Sequence, residues 1–130
     1  MGEQNYLNND EFIRELELSH EKGEPTENLH IMFFELAKNI ARKYNYAKLP
    51  YSDDLIMEGY MKCIKVFRSF NMEKTNPFAY FTSVIENRMR DYIKKENKQK
   101  DLIIKSLNEY KEEMKQEYGI DVNLNDGWEK

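Results

Sequence analysis

Asn76-Pro77 opens the stretch that most constrains this chain, running on to Lys95. Asn76 is suited to cap a helix, and Pro77 suits the first helical position, where a missing N–H costs nothing. With successive residues set about 100° apart, two faces separate. Phe78, Phe81, Ile85, Met89 and Tyr92 form one stripe, predicted to face a core. Tyr80, Ser83, Asn87, Arg90 and Lys94 form the other, with Lys98 further along if the helix continues. This second face joins an aromatic ring, hydroxyl and amide groups, and cations. Base stacking, base-edge hydrogen bonding and phosphate contact ask for those kinds of group. From this helix alone, a solvated face carrying a tyrosine explains the pattern equally well.

The rest of the chain is predicted to be helical too. Residues 1–8 are expected to be loose. Asn8 or Asn9 can cap a short helix carrying Phe12, Ile13 and Leu16, which fades before Gly23. Glu24-Pro25-Thr26 breaks the chain, and Thr26 can cap a second helix with Leu29, Met32 or Phe33, Leu36, Ile40 and Tyr44 on one face. Asn45–Pro50 reads as a connector. Ser52 can cap a third helix, with Asp53 and Asp54 in its first turn, where the helix dipole favours acids. Its apolar positions are Ile56, Tyr60, Cys63 or Ile64, and Phe67. Asn71–Asn76 has no period and reads as a loop. Lys94–Asp101 is nearly all polar and reads as helix or linker. Leu102, Ile103, Leu107, Tyr110 and Met114 predict a further amphipathic helix ending at Gly119. No stretch alternates with period two long enough for a strand.

The expected fold is therefore all-α, a compact bundle of about four to five helices. Its parts are an N-terminal segment with a short helix (1–25), a helical domain (26–100), an amphipathic helix (101–118) and a flexible acidic tail (119–130).

Composition excludes several function classes. No apolar run reaches the roughly 18–20 residues of a membrane helix, and the polar, acidic N-terminus is not a secretory signal. The single Cys63 leaves no internal disulfide and fits a reducing cytoplasm. His20, His30 and Cys63 do not have metal-site spacing. There is no glycine-rich phosphate loop and no nucleophile–base pairing, so neither a cofactor nor an enzymatic activity is expected. The net charge of −4 hides a pattern. Residues 31–100 carry fourteen Lys and Arg against eight Asp and Glu, while 1–30 and 101–130 are both net acidic. A polyanion would find its partner in the basic middle.

The third and fourth helices carry a resemblance. Asp-Leu-Ile-Met-Glu-Gly, Asp54–Gly59, with Lys65 and Phe70 further on, resembles region 2.2 of the sigma factors of bacterial RNA polymerase. The run Phe-Ala-Tyr-Phe-Thr from Phe78, with Asn-Arg-Met-Arg-Asp-Tyr-Ile-Lys-Lys from Asn87, resembles their promoter-reading regions 2.3 and 2.4. Within that family the chain is most similar to the late-transcription sigma factors of T-even-type phages. They share the Asn-Tyr-x-Asn-Asn start (Asn5–Asn9), the Lys-Tyr-Asn-Tyr connector (Lys43–Tyr46), the Asn-Pro-x-Ala-Tyr helix start and the Ile-Lys-Lys-Glu run. The resemblance covers about residues 5 to 98.

It implies roles for residues. Asp54, Glu58 and Met61, with Met57 and Lys62 beside them and Lys65 at the end of the run, match the surface that docks on the clamp helices of the polymerase β′ subunit. If the preceding loop is one residue shorter than in primary sigma factors, Tyr80 falls where the family stacks an aromatic on a flipped promoter base. Asn87 and Arg90 fall at the upstream edge of the minus-ten element. Ser83 belongs to the same DNA-facing row, and Lys94, Lys95 and Lys98 extend it as cations. Ser83 and Val84 stand where primary sigma factors have a Trp pair, so unaided strand opening is expected to be weak. No helix-turn-helix region 4 is recognised.

The expected function is that of a phage late-type sigma factor, not an enzyme. It would direct core polymerase to an AT-rich minus-ten-type promoter in the host bacterial cytoplasm, at the nucleoid. A coactivator and the replication sliding clamp are expected helpers. Ile120, Val122, Leu124 and Trp128, set among acids, fit a clamp-binding tail, and an idle terminus explains them as well. The alternative is a sigma-like interaction protein that occupies the β′ site and blocks or redirects the host enzyme without reading DNA.

Overall fold

The computed structural model describes residues 9–71, 73 and 76–122. The expectations for residues 1–8, including Asn5–Asn8 of the shared start, and for Leu124 and Trp128 in the tail lie outside the described residues. Among the described residues there are four α-helices, α1 (Asn9–Lys22), α2 (Glu27–Lys43), α3 (Ser52–Val66) and α4 (Pro77–Tyr118). Short 3-10 turns, Tyr46–Lys48 and Phe67–Ser69, follow α2 and α3. There is no strand among the described residues. The class is all-α, as the periodicity predicts. Contacts divide the chain into two units, one up to Tyr92 and one from Ile93.

In the first unit, local sequence sets the helix starts. The Thr26 hydroxyl accepts the Leu29 N–H at 3.1 Å, and Asn76 Oδ1 accepts the Ala79 N–H at 3.1 Å. Both residues therefore cap as predicted. Ser52 does not. It is the first residue of α3, Tyr51 occupies the cap position but its side chain does not cap the helix, and the Tyr51 carbonyl accepts the Leu55 N–H at 3.0 Å. The corner between α1 and α2 is held by polar groups. Ser19, fully buried, accepts the Thr26 N–H at 2.9 Å, and the Thr26 hydroxyl donates to Glu15 at 2.7 Å. Gly23 ends α1 with φ at +88°, a left-handed turn in which a side chain would be strained.

The core is an aromatic cluster extended by aliphatic side chains. Phe81 is fully buried, with ring centroids 4.8 Å from Phe33, 5.2 Å from Phe70 and 5.9 Å from Phe12. Ile85 and Met89 continue its row and are also fully buried. Phe78, expected beside them, is instead 39% exposed, while Pro77 is buried. The buried row advances four residues at a time from Pro77, and Phe78 is turned about 100° away from it.

The inner row of α3 departs from expectation in its first half. Cys63, and Phe67 in the turn that follows, are buried as expected, but Leu55 and Gly59 are buried where Ile56 and Tyr60 were expected, and Ile56, Tyr60 and Ile64 are half-buried. The residue that hides this row from a pattern of apolar side chains is Gly59. A Cβ there would lie 2.8 Å from Ile85 Cγ2, so its bare backbone lets α3 approach α4. Cys63 is free and buried, and burial pushes its thiol well above the ordinary range. Tyr60 ties α3 to α2 through its hydroxyl, 2.7 Å from His30 Nδ1. Tyr44, predicted on the core face of the second helix, is 40% exposed at the α2 C-cap.

The second unit is the remainder of α4. Lys94–Asp101, which the sequence allows as helix or linker, is helical, and α4 continues without a break to Tyr118. Gly119, with φ at +66°, ends it, its N–H bonding to the Lys115 carbonyl at 3.0 Å.

Candidate functional site

The outward face of α3 is built from residues one helical turn apart, which therefore share a side. Asp54 and Lys65 are exposed. Met57 and Met61 are 44% and 54% exposed, an unusual placement for two long apolar side chains. Glu58 and Lys62 are half-buried beside them. Glu58, Met61, Lys62 and Lys65 line a surface depression together with Arg88 of α4. Arg88 is the residue that sequence reasoning missed here. Its Nε donates to Glu58 Oε1 at 2.9 Å, and its Nη2 donates to the same oxygen. Both side chains are about 30% exposed. Glu58 is thus tied to α4 and is not a freely solvated acid. A chain position 30 residues away gives a helical wheel no signal of such a partner.

The outward face of α4 within the first unit carries Tyr80, Ser83, Asn87 and Arg90. The last three are exposed, and Tyr80 is half-buried. The Tyr80 ring leans on Phe70 at 4.9 Å and meets the Phe81 ring edge-on at 5.0 Å, which fixes it on an aromatic shelf. Arg90 Nη2 donates to Asn87 Oδ1, so the two residues hold each other's orientation.

A second cluster stands beside this row and was not predicted as a site. The Tyr44 hydroxyl donates to Glu86 Oε2 at 2.7 Å. Donating to that carboxylate raises the pKa of the Tyr44 hydroxyl above its ordinary value, and the Arg90 cation acts in the opposite direction. The Tyr44 ring stacks on Tyr46 with centroids 5.6 Å apart and planes at 25°. Lys43 Nζ lies 5.2 Å from the Tyr44 ring centroid. The one sequence signal for it was the Lys43–Tyr46 connector, read only as a likeness. Asn45 carries the turn, with φ at +63°.

Lys94, Lys95 and Lys98 belong to the second unit and are exposed there. Among the described residues no cluster of His, Cys, Asp and Glu could hold a metal ion, and no helix is long and apolar enough to cross a membrane.

These features define an all-helical domain, with polar, aromatic and methionine side chains displayed on helix faces. The family model for Sigma-70 region 2 matches residues 33–99, just over half of the chain. The chain belongs to the sigma-70 region 2 family. The comparison with curated proteins returns no match, and neither does the comparison with solved structures. Sigma-70 region 2 is a non-enzymatic transcription-factor domain, and membership implies interaction with the RNA polymerase core. The matched segment begins inside α2, so α1 lies outside it even though Phe12 packs on Phe33 and Phe81.

Proposed function

We propose that this chain is a phage late-type sigma factor. It docks on the clamp helices of the β′ subunit through Asp54, Met57, Glu58, Met61, Lys62 and Lys65. It admits the polymerase to an AT-rich minus-ten-type promoter through Tyr80, Ser83, Asn87 and Arg90, and Lys94, Lys95 and Lys98 take phosphate contacts. The observation that carries the reading is that two chemically different outward faces, on α3 and α4, stand on one unit that falls largely within the family match. Exposed methionines among charges suit a helical partner surface. An aromatic, an amide and a guanidinium in one row suit an unpaired base and the adjoining duplex. Unstacking a base costs a few kcal/mol, and stacking on Tyr80 returns about 1–3 kcal/mol of it. A coactivator and the replication sliding clamp assist, and the protein works at the host nucleoid.

Run-off transcription tests this. Core polymerase supplemented with the chain is expected to start at a phage late promoter and to be silent there without it.

One observation favours a second reading, a sigma-like protein that occupies the β′ site without reading DNA. Tyr80 rests on Phe70, and Asn87 and Arg90 satisfy each other, which are also the marks of a self-contained surface. In that case the chain binds core polymerase, suppresses transcription by the host sigma factor and gives no late-promoter product.

A further inference from the structure

The second unit carries an apolar stripe of its own, Ile103, Leu107, Tyr110 and Met114, flanked by Lys100 and Glu117. The six positions alternate spacings of three and four residues, the repeat that forms a coiled-coil seam. All six lie within the unbroken helix α4. Ile103 and Tyr110 are 40% and 48% exposed. A shallow surface groove lined by Gln99, Leu102, Ile103, Ser106 and Leu107 opens along the stripe. Such a groove is a hole of the kind a facing knob enters.

Charge indicates what covers it. Residues 93–105 hold five lysines against two acids, and residues 106–118 hold two lysines against four glutamates. The unit is therefore basic in its first half and acidic in its second. A second copy laid antiparallel sets each basic half against an acidic one. Aligning Leu107 with Tyr110 of that copy also aligns Ile103 with its Met114 and Lys100 with its Glu117. The apolar layers are then closed at both ends by opposite charges. A parallel alignment would stack Lys100 on Lys100 and Glu117 on Glu117, and like charges at facing positions repel.

We propose that residues 100–117 pair with the same segment of a second copy as a short antiparallel coiled coil. The pairing does not depend on the promoter-reading role.

Sedimentation equilibrium of the full chain at rising concentration tests it. Wild type is expected to pass from monomer to dimer. Lys100→Glu and Glu117→Lys set like charges at both ends of the seam, so each is expected to weaken the dimer roughly tenfold. An equimolar mixture of the two variants pairs opposite charges again and is expected to recover wild-type association, as is the double variant. Circular dichroism identifies any variant that has lost helix, and the mixture carries the test independently of either variant alone. Three results overturn the proposal: a wild-type chain that stays monomeric up to millimolar concentration, single variants that dimerise like wild type, or a seam protected from labelling only when core polymerase is added.

Discussion

Arg88 of α4 donates two hydrogen bonds to one carboxylate oxygen of Glu58 on α3, its Nε at 2.9 Å. The pair joins the helix that displays Met57 and Met61 to the helix that displays Asn87 and Arg90. Both side chains remain partly solvated, so screening keeps the contribution modest. A double-mutant cycle with Glu58→Gln and Arg88→Met, followed by urea unfolding, is expected to give a coupling of about 0.5–1 kcal/mol. Additive single effects would mean that the two helices are held by packing alone.

The same pair decides how docking should be tested. Glu58→Lys would set a cation against Arg88 and disturb the fold together with the surface. Asp54→Lys combined with Met61→Ala leaves that contact alone. This variant is expected to lose core-polymerase pull-down at least tenfold, since a charge reversed within an interface costs several kcal/mol. Its helical circular-dichroism signal should be unchanged. Undiminished pull-down would remove the docking role from this face.

Gly59→Ala is expected to destabilise. In an ordinary helix interior the change gains roughly 1 kcal/mol. Here the new Cβ meets Ile85 Cγ2 at 2.8 Å, and the β-branched Ile85 has little rotamer freedom to yield. Overpacking typically costs about 1–3 kcal/mol, so the net shift is toward unfolding. Combining Gly59→Ala with Ile85→Ala should cost less than the two changes added together. Urea midpoints of the four proteins measure this, and a stabilised Gly59→Ala would show that α3 and α4 stand further apart.

Phe81→Ala removes the ring at the centre of the aromatic cluster. The expected loss is about 3–5 kcal/mol, a large share of the folding free energy of a small domain. Thermal melting should show a much lower midpoint. A normal melt would mean that Phe81 is not enclosed by Phe12, Phe33 and Phe70.

Tyr80, Asn87 and Lys94 should fail in different ways. Tyr80→Ala is expected to reduce permanganate reactivity on duplex promoter DNA, and far less on a template already mismatched at the minus-ten element. Asn87→Ala should flatten base preference at one upstream position. Lys94→Ala should weaken every promoter alike and lower the salt dependence by about one counterion. Because Tyr80 leans on Phe70, its variant needs a melting control. Duplex opening by Tyr80→Ala equal to wild type would favour the blocking protein.

What the sequence determined was local. Thr26 and Asn76 cap because each bonds an N–H three residues on, and the Phe81, Ile85 and Met89 row follows from helical period alone. The all-helical class follows from the same short-range terms. Tertiary structure decided whatever depends on residues distant in the chain. Glu58 acquires Arg88, and Tyr44 leaves the core face to bond Glu86, 42 positions away. Gly59 becomes a packing position because it has no side chain, a property that an apolar pattern cannot register. Phe78 stays exposed because the buried row starts at Pro77. Periodicity says which residues share a side of a helix. Only the neighbouring helices determine where on that side burial begins, and which polar groups meet across the gap.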